Sequence, residues 1–180
     1  MPVLPKTKPA RRRSVLRQPQ RVEELLLYRV NRFYASAGAM VVRVCEGQFG
    51  ITRREWRLIA WLADAGELSP STLAERASLD RARTSRAISS LVAKGLAERH
   101  VVASDRRLAT VRLSPRGQAL QAQLMPRVAD INRAILEALS DAEVAHLDSL
   151  LDKLQARAAE LLDGSDWPKA QRRRGRRAAD

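Results

Sequence analysis

The arginines at the start of one predicted helix are the first candidates for chemistry. The stretch "DRARTSRAISSLVAKGLAERH", residues 80–100, is typical of a helix that Asp80 caps and Gly95 ends. Its first two turns carry three basic residues, Arg81, Arg83 and Arg86. This arrangement is unfavourable in isolation, because the start of a helix carries partial positive charge and favours acidic side chains. A partner that supplies negative charge would remove the conflict, and the simpler alternative is ordinary solvated charge.

The positive charge of the chain is concentrated in three segments. The formal net charge is +13, and residues 1–21 hold seven basic and no acidic side chains, while 164–180 hold six basic and two acidic ones. The body between them carries only +2, but 76–112 contains nine Lys and Arg against three Asp and Glu. The charge of the body therefore centres on the segment with the three arginines. The two ends are predicted to be a disordered arm and a basic tail, which either add non-specific phosphate contacts or have no partner.

Length and composition predict a helical protein without disulfides. The 180 residues suffice for one domain with an extension, and hydrophobic residues make up 45% of the chain but aromatic residues only 4%. Leu, Ala and Arg favour helices and are plentiful, whereas the residues that fill sheets are scarce. Cys45 is the single cysteine, and no long apolar run indicates a membrane segment or a secretory signal. We therefore expect a cytoplasmic protein.

Apolar periodicity and a capping box predict the first two helices. Apolar side chains recur at steps of three and four over about 21–45, which predicts a first helix that ends near Gly47. The sequence "TRRE" at 52–55 has the form of a capping box, in which the threonine and glutamate side chains each bond the other residue's amide. It opens a second helix, which ends by Gly66.

Two shorter helices and a hairpin follow. Ser69 and Pro70 have the residue types of a cap and a first helical position, and they open a short helix in "PSTLAERAS". The helix of the three arginines comes next. On a helical projection one face of it carries Thr84, Ala87, Ile88, Leu91 and Val92. Beyond Gly95, "LAERHVV" and "RLATVRL" have strand character, and the polar "ASDRR" joins them as the tip of a hairpin.

The remaining sequence predicts two long helices. Ser114 and Pro115 start the first, and Pro126 within it predicts a kink or break near Met125. A second capping box, "SDAE" at 140–143, opens the other. Its apolar side chains occupy the a and d positions of a heptad pattern, which suits a partner helix. We call this set the heptad seam: Val144, Leu147, Leu151, Leu154, Ala158 and Leu161.

These elements predict a mainly α fold with a small β-wing. A helix-turn-helix followed by a two-stranded wing is a compact unit, and the helices at both chain ends are longer and more apolar than this unit needs. We therefore expect a helical dimerisation module built from both ends. The predicted segments are a disordered basic arm (1–21), a dimerisation helix (22–48), a winged helix-turn-helix domain (49–113), further dimerisation helices (114–163) and a basic tail (164–180).

Residues 50–120 resemble the winged-helix core of the MarR family of bacterial transcription regulators. The matching motifs are "LAERASLDRARTSRAISSLVAKGLAER", the wing motif "SDRR" and the "LSPRG" that follows it. The outer helices fit the family's architecture over about 22–162, and the basic ends fall outside it. The resemblance implies a homodimeric regulator, usually a repressor, whose recognition helix (81–94) enters the major groove of a palindromic operator. It also implies that a small phenolic or aromatic carboxylate ligand releases the DNA.

The resemblance and the side-chain chemistry together indicate the residues that contact DNA. Arg86 matches the arginine of the family's recognition helix, and a guanidinium group bonds a guanine edge or a phosphate with two parallel hydrogen bonds. Further candidates on the helices are Ser71, Arg81, Arg83, Thr84, Ser85 and Ser89. In the wing, Asp105 resembles the aspartate that shapes the turn, and Arg106 or Arg107 would enter the minor groove. The alternative for both wing arginines is solvated charge.

Four residues of the first two helices are candidates for a ligand pocket. Arg43 is a cation at the end of an apolar helix face and Trp56 starts the next helix, so an aromatic carboxylate would pair with one and stack on the other. Ser36 and Met40 would complete the pocket. The stretch "MVVRVCEGQFGITRREW" resembles the branch of the family that controls aromatic-compound catabolism. The alternative is that Trp56 is a core residue and Arg43 a surface charge.

Other classes of function have little support in the sequence. Cys45 has no evident resolving partner, which favours a structural role over peroxide sensing. His100 and His146 belong to no ligand cluster, and there is no phosphate loop or nucleophile motif, so we expect neither a metal or cofactor nor an enzyme. Two alternatives to a specific repressor remain. One is an architectural protein that binds nucleic acid through its basic arms, and the other is an interaction module that uses the heptad seam.

Overall fold

The computed structural model describes residues 14–102 and 105–164, with the backbone alone at 101, 102 and 105–108. This part of the chain forms six α-helices and one antiparallel sheet of three strands. The elements are α1 (Leu26–Phe49), α2 (Arg53–Ala65), β1 (Glu67–Leu68), α3 (Pro70–Arg76), α4 (Arg81–Ala93), β2 (Ala97–Val102), β3 (Asp105–Leu113), α5 (Pro115–Leu136) and α6 (Asp141–Gly164). The chain divides into two compact units between Ile135 and Leu136.

The first helix begins and ends later than its sequence pattern predicts. One 3-10 turn, Val22–Glu24, precedes α1, and the helix continues through Gly47 to Phe49. Gly50 ends it in the left-handed conformation, with φ of 62° and ψ of 24°, and donates its amide hydrogen to the carbonyl of Cys45. The predicted end near Gly47 is therefore wrong. A glycine inside a helix costs only about 1 kcal/mol relative to alanine, which tertiary packing can offset.

The predicted helix starts of the helix-turn-helix are confirmed by their hydrogen bonds. Thr52 Oγ1 accepts from the amide of Glu55 at 3.1 Å, and the Glu55 carboxylate accepts from the amide of Thr52 at 2.6 Å. Ser69 Oγ accepts from the amide of Thr72 at 3.1 Å, and Pro70 occupies the first turn of α3. Asp80 Oδ1 accepts from an amide of α4 at 2.7 Å. These caps begin α2, α3 and α4 at the residues that the sequence indicates.

The sheet contains the predicted hairpin and one strand that the sequence did not indicate. β3 lies between β1 and β2, and both pairs are antiparallel. Ala97 lies opposite Leu113 in the hairpin, and Glu67 lies opposite Arg112 in the added pair. A strand of two residues is too short to show the alternation by which strands are recognised, so β1 depends on β3 for its existence.

One core joins α1, α2, α3, α4 and the sheet. Its largest fully buried side chains include Ile51, Leu58, Ile59, Leu62, Leu73 and Leu91. Burial of each such side chain contributes about 1.5–3 kcal/mol. The buried face of α4 consists of Thr84, Ala87, Ile88 and Leu91, whereas Val92 is 41% exposed. The prediction that Val92 belongs to this face is wrong, because at 100° per residue it lies at the edge of the apolar stripe.

The helix α5 runs unbroken through its internal proline. It spans Pro115–Leu136 and contains Pro126, so the predicted break near Met125 did not occur. Proline removes one amide donor and crowds the preceding turn, at a cost of about 3 kcal/mol. Leu124, two residues earlier, is fully buried in the core and offsets part of this cost.

The apolar residues of α6 are not buried by any other part of the described chain. Its predicted capping box is only half formed: the Glu143 carboxylate accepts from the amide of Ser140 at 2.9 Å, while the Ser140 hydroxyl donates to the same carboxylate. No residue of the helix is buried within the described chain. Most of the heptad seam is partly exposed, with Leu147 at 38%, Leu151 at 52%, Leu154 at 48% and Leu161 at 44%.

Candidate nucleic-acid interface

The helix α4 separates its polar and apolar residues between two faces. The buried side holds Ala87, Ile88 and Leu91 against the core. The exposed residues include five predicted to contact DNA, namely Arg81, Arg83, Ser85, Arg86 and Ser89. Packing against the core therefore fixes which side chains of this helix are available to a partner.

The capping residue of α4 also neutralises one of its arginines. Arg83 Nε lies 3.1 Å from Asp80 Oδ2, while Asp80 Oδ1 accepts the Arg83 amide hydrogen. The aspartate thus supplies the negative charge that the helix start favours. Arg86 has no such partner: its Nε donates to the carbonyl of Ala82 at 3.3 Å, and it forms no ion pair among the described residues. Its two terminal nitrogens remain available for a phosphate or a base edge.

Thr84 is a core residue rather than a DNA-facing one. Its side chain is only 1% exposed, and its hydroxyl donates to the carbonyl of Asp80 at 3.0 Å. A hydroxyl group has a single hydrogen to donate, so this group is not free to bond a phosphate oxygen. The structure therefore removes Thr84 from the predicted set.

A basic groove lies on the α3 side of α4. Its volume is about 440 Å³, and its lining includes Ser71, Arg81, Ser85 and Arg99. Ser71 and Ser69 share a hydrogen bond of 2.8 Å between their hydroxyls. Arg99, a residue of β2, was not among the predicted contacts, which were confined to the helices and the tip of the wing. The local excess of basic residues over 76–112 was the signal that included it.

A second basic groove lies on the α2 side of α4. Its volume is about 310 Å³, and Arg54, Arg83, Arg86 and Ser90 line it. Arg54 stands in the first turn of α2 and was not predicted to take part. The arginines of α4 are thus flanked by one further arginine on each side, Arg99 from the sheet and Arg54 from α2. Converging guanidinium groups of this kind suit the regularly spaced phosphates of a nucleic-acid backbone.

The α2-side groove also has one largely buried carboxylate in its lining. Glu55 is 2% exposed. Burial by itself raises the pKa of its carboxyl, but hydrogen bonds from Ser90, Thr52 and Lys94 together outweigh burial and hold the pKa below its ordinary value. The group is therefore ionised at neutral pH and serves the packing of α2 against α4.

Like Arg83 in α4, Arg112 in the wing already has a carboxylate partner. Arg112 Nη2 lies 2.8 Å from the carboxylate of Glu98 across the hairpin. The hydrogen bond from Arg112, followed by its charge, lowers the pKa of the Glu98 carboxyl. Three predicted wing residues, Asp105, Arg106 and Arg107, begin β3, and their side chains lie outside the described residues.

The four candidates for a ligand pocket lie on α1 and α2. Ser36 is exposed and lines a depression of about 300 Å³ on α1, which Met40, Arg43 and Trp56 do not line. Met40 and Arg43 are exposed further along the same helix. Trp56 is half-buried against the core, and its indole nitrogen is buried with no hydrogen-bond partner among the described residues. A buried indole N–H normally has an acceptor, so this donor is the strongest structural feature of the set.

The cysteine shows no sign of reactivity. Cys45 is fully buried, and burial, followed by the charge of Glu46, raises the pKa of its thiol. The thiol form, which is a poor nucleophile, therefore dominates at neutral pH.

The described residues contain neither a metal-binding cluster nor a helix that could span a membrane. Within residues 14–102 and 105–164, no group of three His, Cys, Asp or Glu is placed to hold a metal ion. No helix in the same part of the chain combines the length and the apolar character needed to cross a membrane.

The fold is that of a winged helix-turn-helix protein. Residues 49–108 match the model of the MarR family, and this segment contains α2, α3, α4, β2 and the first part of β3. This segment is therefore similar to the winged helix-turn-helix of MarR-family transcription regulators. No curated protein sequence matches the chain.

Several solved structures share the fold over most of the chain. A MarR family regulator from Silicibacter pomeroyi DSS-3 is 27% identical, with a TM-score of 0.67, and the match covers 77% of this chain and 98% of that one. NadR in complex with 4-hydroxyphenylacetate is 26% identical, with a TM-score of 0.61, covering 74% and 98%. BpsR of Bordetella bronchiseptica, whose DNA binding is regulated by 6-hydroxynicotinic acid, is 24% identical and supports the fold, with a TM-score of 0.68 and coverage of 76% and 97%.

Proposed function

We propose that the protein is a homodimeric repressor that binds a palindromic operator and releases it when a small aromatic acid binds. The observation that carries the proposal is the exposed arginine face of α4 within a segment that matches the MarR family. In this proposal α4 enters the major groove and Arg86 bonds a guanine edge or a phosphate. Two such helices related by a two-fold axis would contact half-sites about 34 Å apart.

The remaining DNA contacts are assigned by side-chain chemistry. Arg81 and Arg83 would meet base edges or the backbone near the start of α4, and three hydroxyls, those of Ser71, Ser85 and Ser89, would donate to phosphate oxygens. Arg106 or Arg107 would enter the minor groove, and Asp105 would shape the turn before them. The DNA backbone would then supply the negative charge that the start of α4 otherwise takes from Asp80 alone.

The operator-specific proposal is tested with one point variant and one truncation. Arg86→Ala is expected to abolish the preference of the protein for operator over random DNA, because the change removes a base-reading group. Deletion of residues 1–21 is expected to weaken binding to both DNAs alike and to reduce its salt dependence. If Arg86→Ala kept the preference intact, the recognition-helix assignment would be wrong, and an architectural protein that binds through its basic arms would be favoured.

The homodimer is supported by exposed apolar residues on the outer helices. On α1, Leu27 is 80% exposed, Val30 50% and Phe33 59%, and α6 leaves its heptad seam open. Apolar surface of this extent on long helices is typical of an interface. Leu151→Glu, at the centre of the seam, is expected to shift the protein from dimer to monomer in sedimentation velocity, whereas Leu162→Glu outside the seam leaves it dimeric. A wild-type protein that sediments as a stable monomer would contradict the homodimer.

The ligand class is proposed from the relatives and from Trp56. NadR was solved with 4-hydroxyphenylacetate, and 6-hydroxynicotinic acid regulates the DNA binding of BpsR. We place the ligand against Ser36, Met40, Arg43 and Trp56, where the unpartnered indole N–H of Trp56 would donate to it. A thermal-shift screen of aromatic acids and their coenzyme A thioesters tests the class. A ligand whose stabilisation survives Arg43→Ala would remove Arg43 from the pocket.

A further inference from the structure

A cavity lined by four arginines lies beside the start of α4. Its volume is about 540 Å³, and α1, α2, the α3–α4 turn and α4 all contribute to its walls. The charged residues that line it are Glu46, Arg53, Arg54, Arg57 and Arg83. We call it the arginine cavity. It lacks Trp56 and the three other residues proposed for the aromatic ligand, so it is a separate site.

The arginine cavity carries an uncompensated positive charge. Arg83 pairs with Asp80, but Arg53, Arg54 and Arg57 form no ion pair within the described residues, and Glu46 is the only acid among the lining residues. Four guanidinium groups around one space repel one another, and walls of low dielectric strengthen the potential inside. A bound anion would relieve this repulsion. The four guanidinium groups face two carboxylates, those of Glu46 and Asp80, so a single added carboxylate would still leave a net positive charge. The charge therefore favours an anion with two negative charges.

Two of the arginines are already held in place. Arg57 donates to the carbonyl of Ala77 at 2.8 Å and to the hydroxyl of Tyr34 at 2.9 Å. The guanidinium of Arg53 stacks on the ring of Tyr34, with its carbon 4.6 Å from the ring centre. It also lies against Gly38, where any side chain would overlap it. Groups that are ordered before binding lose little conformational entropy when a ligand arrives, so these contacts favour anion binding.

We infer that the arginine cavity binds a small multivalent anion, such as an organic phosphate or a polycarboxylate. The volume lies within the range of ligand pockets, about 300–1,000 Å³. Guanidinium groups bond phosphate and carboxylate oxygens with two parallel hydrogen bonds, which suits a ligand with several such oxygens.

The site shares two residues with the surface that faces DNA. Arg54 and Arg83 line both the arginine cavity and the α2-side groove that contains Arg86. An anion that engages them removes two positive charges from the groove, so anion and operator compete for the same protein. This regulatory half of the inference rests on the proposed function, whereas the binding half does not.

Binding is tested by calorimetric titration of the full chain with pyrophosphate, and separately with citrate, at constant ionic strength and without DNA. Saturable binding is expected. Arg57→Gln should weaken it about tenfold through loss of one charged donor pair. Glu46→Gln should strengthen it about fivefold through loss of a repelling charge. Arg127→Gln, an exposed arginine of α5 that does not line the cavity, should leave it unchanged and is the matched control.

The outcomes separate a specific site from general attraction. Absence of saturable binding, or equal weakening by Arg127→Gln and Arg57→Gln, overturns the site. If Arg57→Gln unfolds the protein, failure of Glu46→Gln to strengthen binding overturns it instead. Preference for pyrophosphate over citrate assigns the ligand to the phosphates, and the reverse assigns it to the polycarboxylates.

Competition is tested with operator DNA by fluorescence anisotropy. At constant ionic strength, pyrophosphate should weaken operator binding by the wild type. It should do so less for Arg57→Gln, which binds the anion poorly. If Arg57→Gln alone weakens operator binding as much as Arg54→Gln does, the cavity holds a backbone phosphate and the small-anion assignment is wrong. Wild-type protein that takes up pyrophosphate but never binds operator would refute the proposed function while the anion site stands.

Discussion

Lys94, at the end of α4, holds the buried carboxylate of Glu55 in the first turn of α2. Its Nζ lies 3.0 and 2.9 Å from the two carboxylate oxygens and 3.0 Å from the carbonyl oxygen of Gly50, the residue that ends α1. One ammonium group therefore ties three helices together behind the α2-side groove. Because α4 carries the candidate DNA-contacting residues, this clamp also fixes their position relative to Arg54.

Removal of the lysine is expected to destabilise the fold. Lys94→Met would leave Glu55 buried with its amide and hydroxyl donors but without a counter-charge. Loss of one partner of a fully buried pair costs about 3–5 kcal/mol, and the partial exposure of the Lys94 side chain, 37%, reduces this to about 2 kcal/mol. Urea unfolding measures the change. Lys153→Met, on an exposed position of α6, is the control and should alter the free energy of unfolding by less than about 0.5 kcal/mol.

The same carboxylate makes the stability depend on acid. The pKa of Glu55 in the folded chain lies below its ordinary value of 4.5, so its contribution is fully present above that pH and is lost as the pH falls through the folded pKa. From about pH 6 to about pH 3, the free energy of unfolding should therefore fall more steeply for the wild type than for Glu55→Gln. The lowered pKa values of Glu98 and Glu143 act in both proteins and cancel in the comparison. An equal pH dependence of the free energy of unfolding in the two proteins would show that the folded chain does not lower the pKa of Glu55.

Two glycines in helices should respond in opposite ways to alanine. A methyl group at Gly117, in the first turn of α5, would overlap the carbonyl oxygen of Leu96, so Gly117→Ala is expected to cost about 1–3 kcal/mol. At Gly47, inside α1, a methyl group meets no atom, and Gly47→Ala should stabilise the helix by about 0.5–1 kcal/mol. Thermal unfolding of both variants gives the two signs. A stabilised Gly117→Ala would show that α5 does not approach the carbonyl of Leu96 this closely.

Arg99 is expected to contribute affinity for DNA without contributing specificity. It lines the α3-side groove with Arg81, where a phosphate contact carries no sequence information. Arg99→Ala should weaken binding to operator and random DNA alike and reduce the slope of log K against log salt by about 1. Arg112→Ala is the matched control, because Arg112 is already paired with Glu98 on the same hairpin. A loss confined to operator DNA would instead make Arg99 a base-reading residue.

Thr84 should matter for stability and not for DNA. Thr84→Val keeps the shape of the buried side chain but removes the hydrogen bond to Asp80, at an expected cost of about 1 kcal/mol. Operator affinity should change by less than roughly twofold, whereas Ser89→Ala, on the exposed face, should reduce it by more. Operator affinity is measured for both variants at a temperature where each is fully folded. An equal loss of affinity in both would return Thr84 to the interface.

Local signals in the sequence predicted helix starts more accurately than helix ends. The caps at Thr52, Ser69 and Asp80 depend on residues three positions apart, so the sequence alone specifies them. The end of α1 was misplaced because Gly47 and Gly50 carry the same local signal, and only the packing of the following chain selects between them. The strand β1 was missed for a related reason, since its two residues become a strand only by pairing with β3.

Some residues of the candidate interface could likewise be predicted from local sequence, and others could not. The positions of Arg81, Arg83 and Arg86 on an exposed face follow from the periodicity of α4, and the motifs around them carry the resemblance to the MarR family. Arg54 belongs to α2 and Arg99 to β2, so the periodicity of α4 does not indicate that they flank its exposed face. Thr84 shows the converse, because its residue type suits a phosphate donor but its hydroxyl is used inside the core.

The order of the helices and of the hairpin, the caps of α2, α3 and α4, and the arginine face of α4 can all be read from the sequence. These features depend on residues within one or two helical turns of each other, whose relative positions are fixed by the geometry of the helix. That Arg54 and Arg99 flank this face, and that Arg53 and Arg57 meet Arg83 around one cavity, depends on the folded structure. Such neighbours come from different elements, and packing of the core, rather than any local preference, brings them together.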